Sequence, residues 1–126
     1  MSQPEFSVGA RARSFRYAAR GFVALLRSQH NAWIHAAASI VVLALGFIVG
    51  LSRVEWCLVV VAITAVWTAE ALNTAFEALC DVASPGAHPV VERAKDIAAG
   101  AVLITAAGAV VIGLLVFGPH LLPRWG

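Results

Sequence analysis

The sequence predicts an all-α integral membrane protein, in which an N-terminal amphipathic surface helix is followed by three transmembrane helices. Of the 126 residues, 60% are hydrophobic and 13% are charged, whereas an ordinary soluble domain has about 25% charged residues. Three apolar stretches also have the roughly 20 residues that a spanning helix needs. A soluble fold of this length would leave too much apolar surface in water, because small domains bury a small share of their surface.

The elements follow in order along a single domain, residues 1–126. Residues 1–12 are expected to form a flexible tail. Residues 13–28 are expected to form a helix on the membrane surface, because its arginines fall on one side and its apolar residues on the other. The expected spans are residues 32–51, 56–80 and 97–118. The prolines and glycine of the segment 84–89 break the helix between the second span and the third.

The basic residues are distributed unevenly about the spans. Two of them, Arg53 and Arg124, lie on one side, and the other seven lie on the opposite side. These seven are Arg11, Arg13, Arg16, Arg20, Arg27, Arg93 and Lys95. The positive-inside rule therefore predicts a cytoplasmic N-terminus. The arginines of the surface helix either only anchor it or also contact an anionic substrate.

The second span carries a polar stripe, which we define as Glu70, Asn73, Thr74, Glu77 and Asp81. Their spacing places them within an arc of about 100° on a helix. A charged side chain near the bilayer centre costs about 2.5–3.5 kcal/mol, so carboxylates in a span indicate a functional site by default. Such a carboxylate suits a general base acting on a hydroxyl. The alternative is a hydrogen-bonded cluster that only fixes helix packing.

A second group of charged residues precedes the third span, and it includes Lys95, the only lysine of the chain. A lysine near a helix N-terminus is expected to lie beside free backbone N–H groups and to bind phosphate. Carboxylates opposite this lysine suggest Mg²⁺ and a nucleoside triphosphate. The alternative is a charged anchor at the membrane surface. No Walker phosphate-binding loop occurs in the sequence.

These motifs together resemble one family. The stripe Glu70-x-x-Asn73-Thr74-Ala75-x-Glu77-x-x-x-Asp81, followed by His88-Pro89 and Ala94-Lys95-Asp96, resembles the prokaryotic diacylglycerol kinases, which include the undecaprenol kinases. The resemblance begins at Phe15-x-x-Ala18-x-x-Gly21 and continues through Asn31-x-x-Ile34-His35. It implies a homotrimer in the bacterial inner membrane that phosphorylates a lipid alcohol with MgATP. It implies no nucleic-acid partner.

The resemblance also implies roles for individual residues. Glu70 resembles the general base and Glu77 a metal ligand. The residues assigned to the nucleotide are Asn73, Lys95, Asp96, Tyr17, His88 and Arg13, and Thr74 and Asp81 are assigned supporting roles. Gln29 stands where the family usually has a glutamate that shares the metal, so this ligand would be a neutral amide here. In the 84–89 loop, Gly86-Ala87 replaces a glutamate and an aromatic residue that are common in the family.

The lipid acceptor is the open question. The Asn31-x-x-Ile34-His35 segment, the 51–56 turn and the His-Pro loop favour undecaprenol over diacylglycerol. Two other functions are open on the residues alone. One is a transporter or channel subunit that uses the stripe as an ion path, although the third span offers only Thr105 as a polar partner. The other is a non-catalytic assembly subunit.

Overall fold

The computed structural model describes residues 5–28 and 30–122, and these residues form four helices. The helices are α1 (Val8–Ser28), α2 (His30–Val49), α3 (Arg53–Ala83) and α4 (Pro89–Leu121). Gln29, one of the expected metal ligands, lies outside the described residues, as do residues 1–4 of the expected tail and Arg124.

The helices begin earlier than the sequence analysis expected, because capping residues start them. The expected flexible tail is wrong from Val8 onward, since the Ser7 hydroxyl accepts a hydrogen bond from the Ala10 N–H at 3.2 Å and starts α1. A reciprocal capping box between Ser52 and Glu55 starts α3. His88 caps α4 ahead of a proline at the first helical position, so this helix begins well before residue 97.

Three of the four helices are long and apolar enough to cross a membrane. The prediction of three membrane-spanning helices is therefore confirmed, although their bounds differ from those expected. With 31 and 33 residues, α3 and α4 are about 46 and 50 Å long. The hydrocarbon core of a bilayer is about 30 Å thick. Both helices therefore extend beyond it, and their ends are suited to charged side chains.

The end of the bundle where α2 meets α3, here called the turn end, holds the apolar core. Gly50 ends α2 with a φ of 74°, a left-handed conformation that glycine adopts readily. The buried residues of this core are Leu51, Val59, Val116 and Phe117. They tie the short connection between α2 and α3 to the last turns of α4.

The opposite end, here called the loop end, holds the start of α2, the end of α3 and the start of α4. α3 and α4 pack along their length, and α1 joins the bundle through buried Leu25 and through Phe22, whose ring lies 5.5 Å from that of Trp67. Many large apolar side chains on the spans remain exposed in the single chain, among them Phe47, Ile48 and Ile104. Such a surface is typical of helices that contact lipid or other subunits.

Candidate functional site

Glu70 is the centre of the site. It is 1% exposed, and it is the one buried charged side chain among the residues that the structure describes. Its Oε2 atom lies 3.4 Å from Nε2 of His35, in the second turn of α2. A carboxylate buried to this degree is costly unless a partner or a ligand compensates its charge. The pair with His35 supplies part of this compensation.

Glu70 lines a cavity of about 280 Å³ between α2, α3 and α4. The polar residues around it are His35, Asn31 and Asn73, and the wall contributed by α4 is apolar. The residues of that wall are Ala99, Val102, Leu103 and Ala106. A small cavity with a few convergent polar groups on an apolar wall is the usual form of a binding site.

Three buried oxygen atoms on the polar stripe have no hydrogen-bond partner within residues 5–28 and 30–122. They are Glu70 Oε2, Asn73 Oδ1 and Thr74 Oγ1. Buried polar atoms are satisfied in the large majority of cases, so each exception calls for an explanation. Three exceptions within five residues of one helix indicate a site that a polar ligand completes. They also argue against a cluster whose members satisfy one another.

Glu77 lies two turns from Glu70 toward the loop end, about 10 Å along the helix. It is half-buried, and Asn73 lies one turn away on the same face. In the part of the chain that the structure describes, no three His, Cys, Asp or Glu side chains cluster closely enough to hold a metal ion. One carboxylate and an amide oxygen still fit Mg²⁺, because this ion usually takes one or two carboxylates and completes its shell with phosphate oxygens and water.

Lys95 joins the two helix ends at the loop end. Its Nζ atom lies 3.8 Å from Asp81 Oδ1 and 4.0 Å from Glu92 Oε1. The expectation that free backbone N–H groups lie beside Lys95 is wrong, because α4 begins at Pro89 and Lys95 lies in its second turn. The lysine therefore acts through its side chain. Asp96, the next residue, is exposed on α4.

The remaining nucleotide-binding candidates lie farther from Glu70. His88 accepts a hydrogen bond at Nδ1 from the Val90 N–H at 3.2 Å, so one ring nitrogen is engaged in capping α4. Tyr17 and Arg13 are exposed on α1, and the guanidinium of Arg20 lies 5.8 Å from the centre of the Tyr17 ring. Within the described residues, Tyr17 and Arg13 form no hydrogen bond or ion pair with the polar stripe.

The sequence analysis assigned no role to the cluster beside Glu70, in which His35 and Ser39 of α2 lie near Trp67 of α3. Trp67 Nε1 donates a hydrogen bond to Ser39 Oγ at 3.0 Å, and the Trp67 ring lies 6.3 Å from that of His35. One signal for this cluster was available, because His35 is the single titratable residue in the apolar stretch 32–51. Beyond the cluster, an apolar cavity of about 270 Å³ extends from His35 toward Phe117.

Comparisons with known proteins match most of the chain, including all the helices that form this site. A family model described as prokaryotic diacylglycerol kinase matches residues 16–117. The chain is 42% identical over 109 residues to undecaprenol kinase of Bacillus subtilis, and the match covers 86% of this chain and 89% of that protein. It is 34% identical over 110 residues to diacylglycerol kinase of Synechocystis sp., covering 86% of this chain and 63% of that protein.

Proposed function

The chain belongs to the prokaryotic diacylglycerol kinase family and is a lipid kinase, and on this premise we propose that it transfers the γ-phosphoryl group of ATP to the hydroxyl group of undecaprenol. The observation that carries the proposal is the row of buried, unpaired oxygen atoms at Glu70, Asn73 and Thr74. A hydroxyl donor is the ligand that such a row of acceptors needs.

Glu70 is the proposed general base. A hydroxyl group in the adjoining cavity would donate its hydrogen bond to the Oε2 atom, which accepts none within the described residues. As the hydroxyl oxygen forms its bond to the γ-phosphorus, the bond from that phosphorus to the bridging oxygen breaks and ADP leaves. The hydroxyl proton passes to Glu70. Positioning and charge stabilisation dominate such transfers, so a small site with one base is sufficient.

The nucleotide end of the proposed site is at the loop end, where α3 and α4 extend beyond the apolar layer. Lys95 is the proposed contact to the phosphates, because its ammonium group already lies between the helix ends, near the exposed carboxylate of Asp81. Glu77 and Asn73 would hold Mg²⁺ from α3, and Gln29 is a proposed third ligand. The ion would neutralise charge on the phosphates. Asp96, Tyr17, His88 and Arg13 are the further proposed contacts to the nucleotide.

The choice of undecaprenol rests on relatedness. The match to the undecaprenol kinase is both higher in identity and more complete, whereas this chain spans 63% of the length of the diacylglycerol kinase it resembles. The apolar cavity that begins at His35 is consistent with either lipid, because its lining is almost wholly alanine, valine and isoleucine. Diacylglycerol is therefore the second candidate acceptor.

The proposed assembly is a homotrimer in the bacterial inner membrane, with the N-terminus and the 84–88 loop in the cytoplasm. Two observations support an oligomer: the large apolar surface left exposed on the spans, and the exposed small residues of α4 such as Gly108. The arginines of α1 and the apolar Phe15 and Phe22 support its placement on the membrane surface.

Incubation of the purified protein with γ-³²P-labelled ATP, Mg²⁺ and mixed micelles tests the proposal. Parallel samples contain undecaprenol, diacylglycerol or no lipid alcohol. We expect label in the undecaprenol product, with a higher kcat/KM than for diacylglycerol. A preference for diacylglycerol would select the second candidate. Absence of label in both lipids, in protein that remains folded in detergent, would contradict the assignment of the site.

A further inference from the structure

His35, which lies beside Glu70, is a candidate for a second residue with a role in the reaction. His35 Nε2 lies 3.4 Å from Glu70 Oε2, and the His35 side chain is 17% exposed where that of Glu70 is 1% exposed. The imidazole thus lies between the buried carboxylate and the more open part of the bundle. It also lines both the cavity of Glu70 and the neighbouring apolar cavity.

No other charged group in the described residues is placed to serve Glu70. The wall from α4 is apolar, and α1 contributes Phe22, which packs on Trp67 beside the histidine. The nearest ion pair among the described residues on the same helix, Asp81 with Lys95, is 11 residues farther along α3, about 16 Å toward the loop end. Among the described residues, His35 is therefore the titratable group paired with Glu70.

We propose that His35 is a positioning residue for Glu70, which orients the carboxylate to accept the hydroxyl proton. This inference rests on the proposed function of Glu70 as the base. Nε2 of His35 lies 3.4 Å from the buried Oε2 atom of Glu70. Removing the group paired with a buried carboxylate is strongly destabilising.

The cavity geometry makes orientation important. Glu70 Oε2 accepts no hydrogen bond within the described residues, although His35 Nε2 lies 3.4 Å away, so it remains able to accept one from a ligand. When the acceptor hydroxyl enters the cavity, the imidazole beside Glu70 limits the positions that the carboxylate can take.

The test compares the wild-type protein with His35→Gln and His35→Ala, and His120→Gln serves as the matched control. His120 Nε2 lies 2.8 Å from Glu55 Oε2 in a second histidine–glutamate pair, at the turn end and far from the polar stripe. We expect His35→Gln to lower kcat about tenfold or more, up to the 10²–10⁴-fold that a positioned base contributes in full, and to leave KM for ATP within twofold. His120→Gln is expected to keep kcat within about threefold.

The split between kcat and KM separates a positioning role from packing. Loss of orientation at Glu70 should lower kcat alone, whereas a collapsed cavity should also raise KM for the lipid alcohol. A His35→Gln variant that changes KM for the lipid alcohol as much as kcat would overturn the proposal.

A stability measurement keeps the test independent of activity. His35→Gln should lower Tm in the wild-type background, because it removes the group paired with the buried carboxylate of Glu70. In a Glu70→Gln background the same substitution should lower Tm much less. Equal shifts in both backgrounds would overturn the proposal. If the wild-type protein labels no lipid alcohol, the proposed function itself is wrong. If the wild-type protein is active and the His35 variants are equally active, only the positioning role of His35 is wrong.

Discussion

Lys95 Nζ lies 3.8 Å from Asp81 Oδ1, and this contact joins the end of α3 to the start of α4 across the 84–88 loop. Asp81 is 75% exposed and Lys95 is 29% exposed. An exposed ion pair of this kind contributes little to stability, about 0–1 kcal/mol. The pair is therefore better explained by a positioning role than by a contribution to folding stability. It holds the ammonium group of Lys95 at the loop end, in line with the polar stripe.

The first prediction follows from that position. Lys95→Ala should raise KM for ATP about tenfold or more, because it removes a charged donor worth roughly 1.5–3 kcal/mol, and should leave KM for the lipid within about twofold. Asp81→Asn separates the ion pair from the charge of the lysine, since it breaks the same contact but keeps Lys95, and it should raise KM for ATP less than Lys95→Ala does. Steady-state kinetics with each substrate varied in turn measures both effects. Equal changes in both KM values would indicate a structural role for Lys95.

A second prediction separates stability from activity at Glu70. Glu70→Gln should abolish lipid phosphorylation, because an amide cannot accept the hydroxyl proton. It should leave the oligomer intact and lower Tm less than His35→Gln does, because it removes the buried charge itself rather than the group paired with it. Thermal unfolding in detergent and size-exclusion chromatography measure the second effect. A variant that keeps more than about a tenth of wild-type turnover would remove Glu70 from the role of base.

How much of this site the sequence could predict depends on how local each feature is. The polar stripe was predictable because helical periodicity alone places Glu70 and Asn73 on one face of α3. The pair between Glu70 and His35 was not, since it depends on how α2 packs against α3. Lys95 shows a third case: its helix was expected, but the proline and His88 that start α4 were interpreted as loop, so the lysine was placed too close to the helix end.

A third prediction concerns the turn end, where a glycine allows close packing. A Cβ atom added at Gly46 would lie 2.7 Å from Trp56 Cη2 and 3.1 Å from Leu51 Cδ1. Gly46→Ala should therefore destabilise the protein by about 1–3 kcal/mol, as overpacking of a core does. Gly21→Ala is the control, because a Cβ at this position of α1 meets no atom of the described residues within 4 Å and alanine favours the helix. Thermal unfolding of both variants should give shifts of opposite sign or clearly unequal size.

The last prediction concerns Gln29, which lies outside the described residues and stands where the family usually has a glutamate. A glutamine in the metal shell would leave one negative charge fewer around Mg²⁺, a hard cation that favours carboxylate oxygen. The free enzyme should then bind Mg²⁺ weakly, and the metal should arrive mainly as MgATP. Gln29→Glu should lower the Mg²⁺ concentration required for half-maximal activity at a fixed ATP concentration.

A magnesium titration of the two proteins measures this effect, and lipid preference is the control. The preference should not change, because Gln29 is proposed to act on the metal, whereas the acceptor hydroxyl is expected beside Glu70. The other role open to Gln29 is to cap the junction between the surface helix and the first span, which an amide can also do. Superimposable titration curves would indicate this capping role and would place Gln29 outside the metal shell.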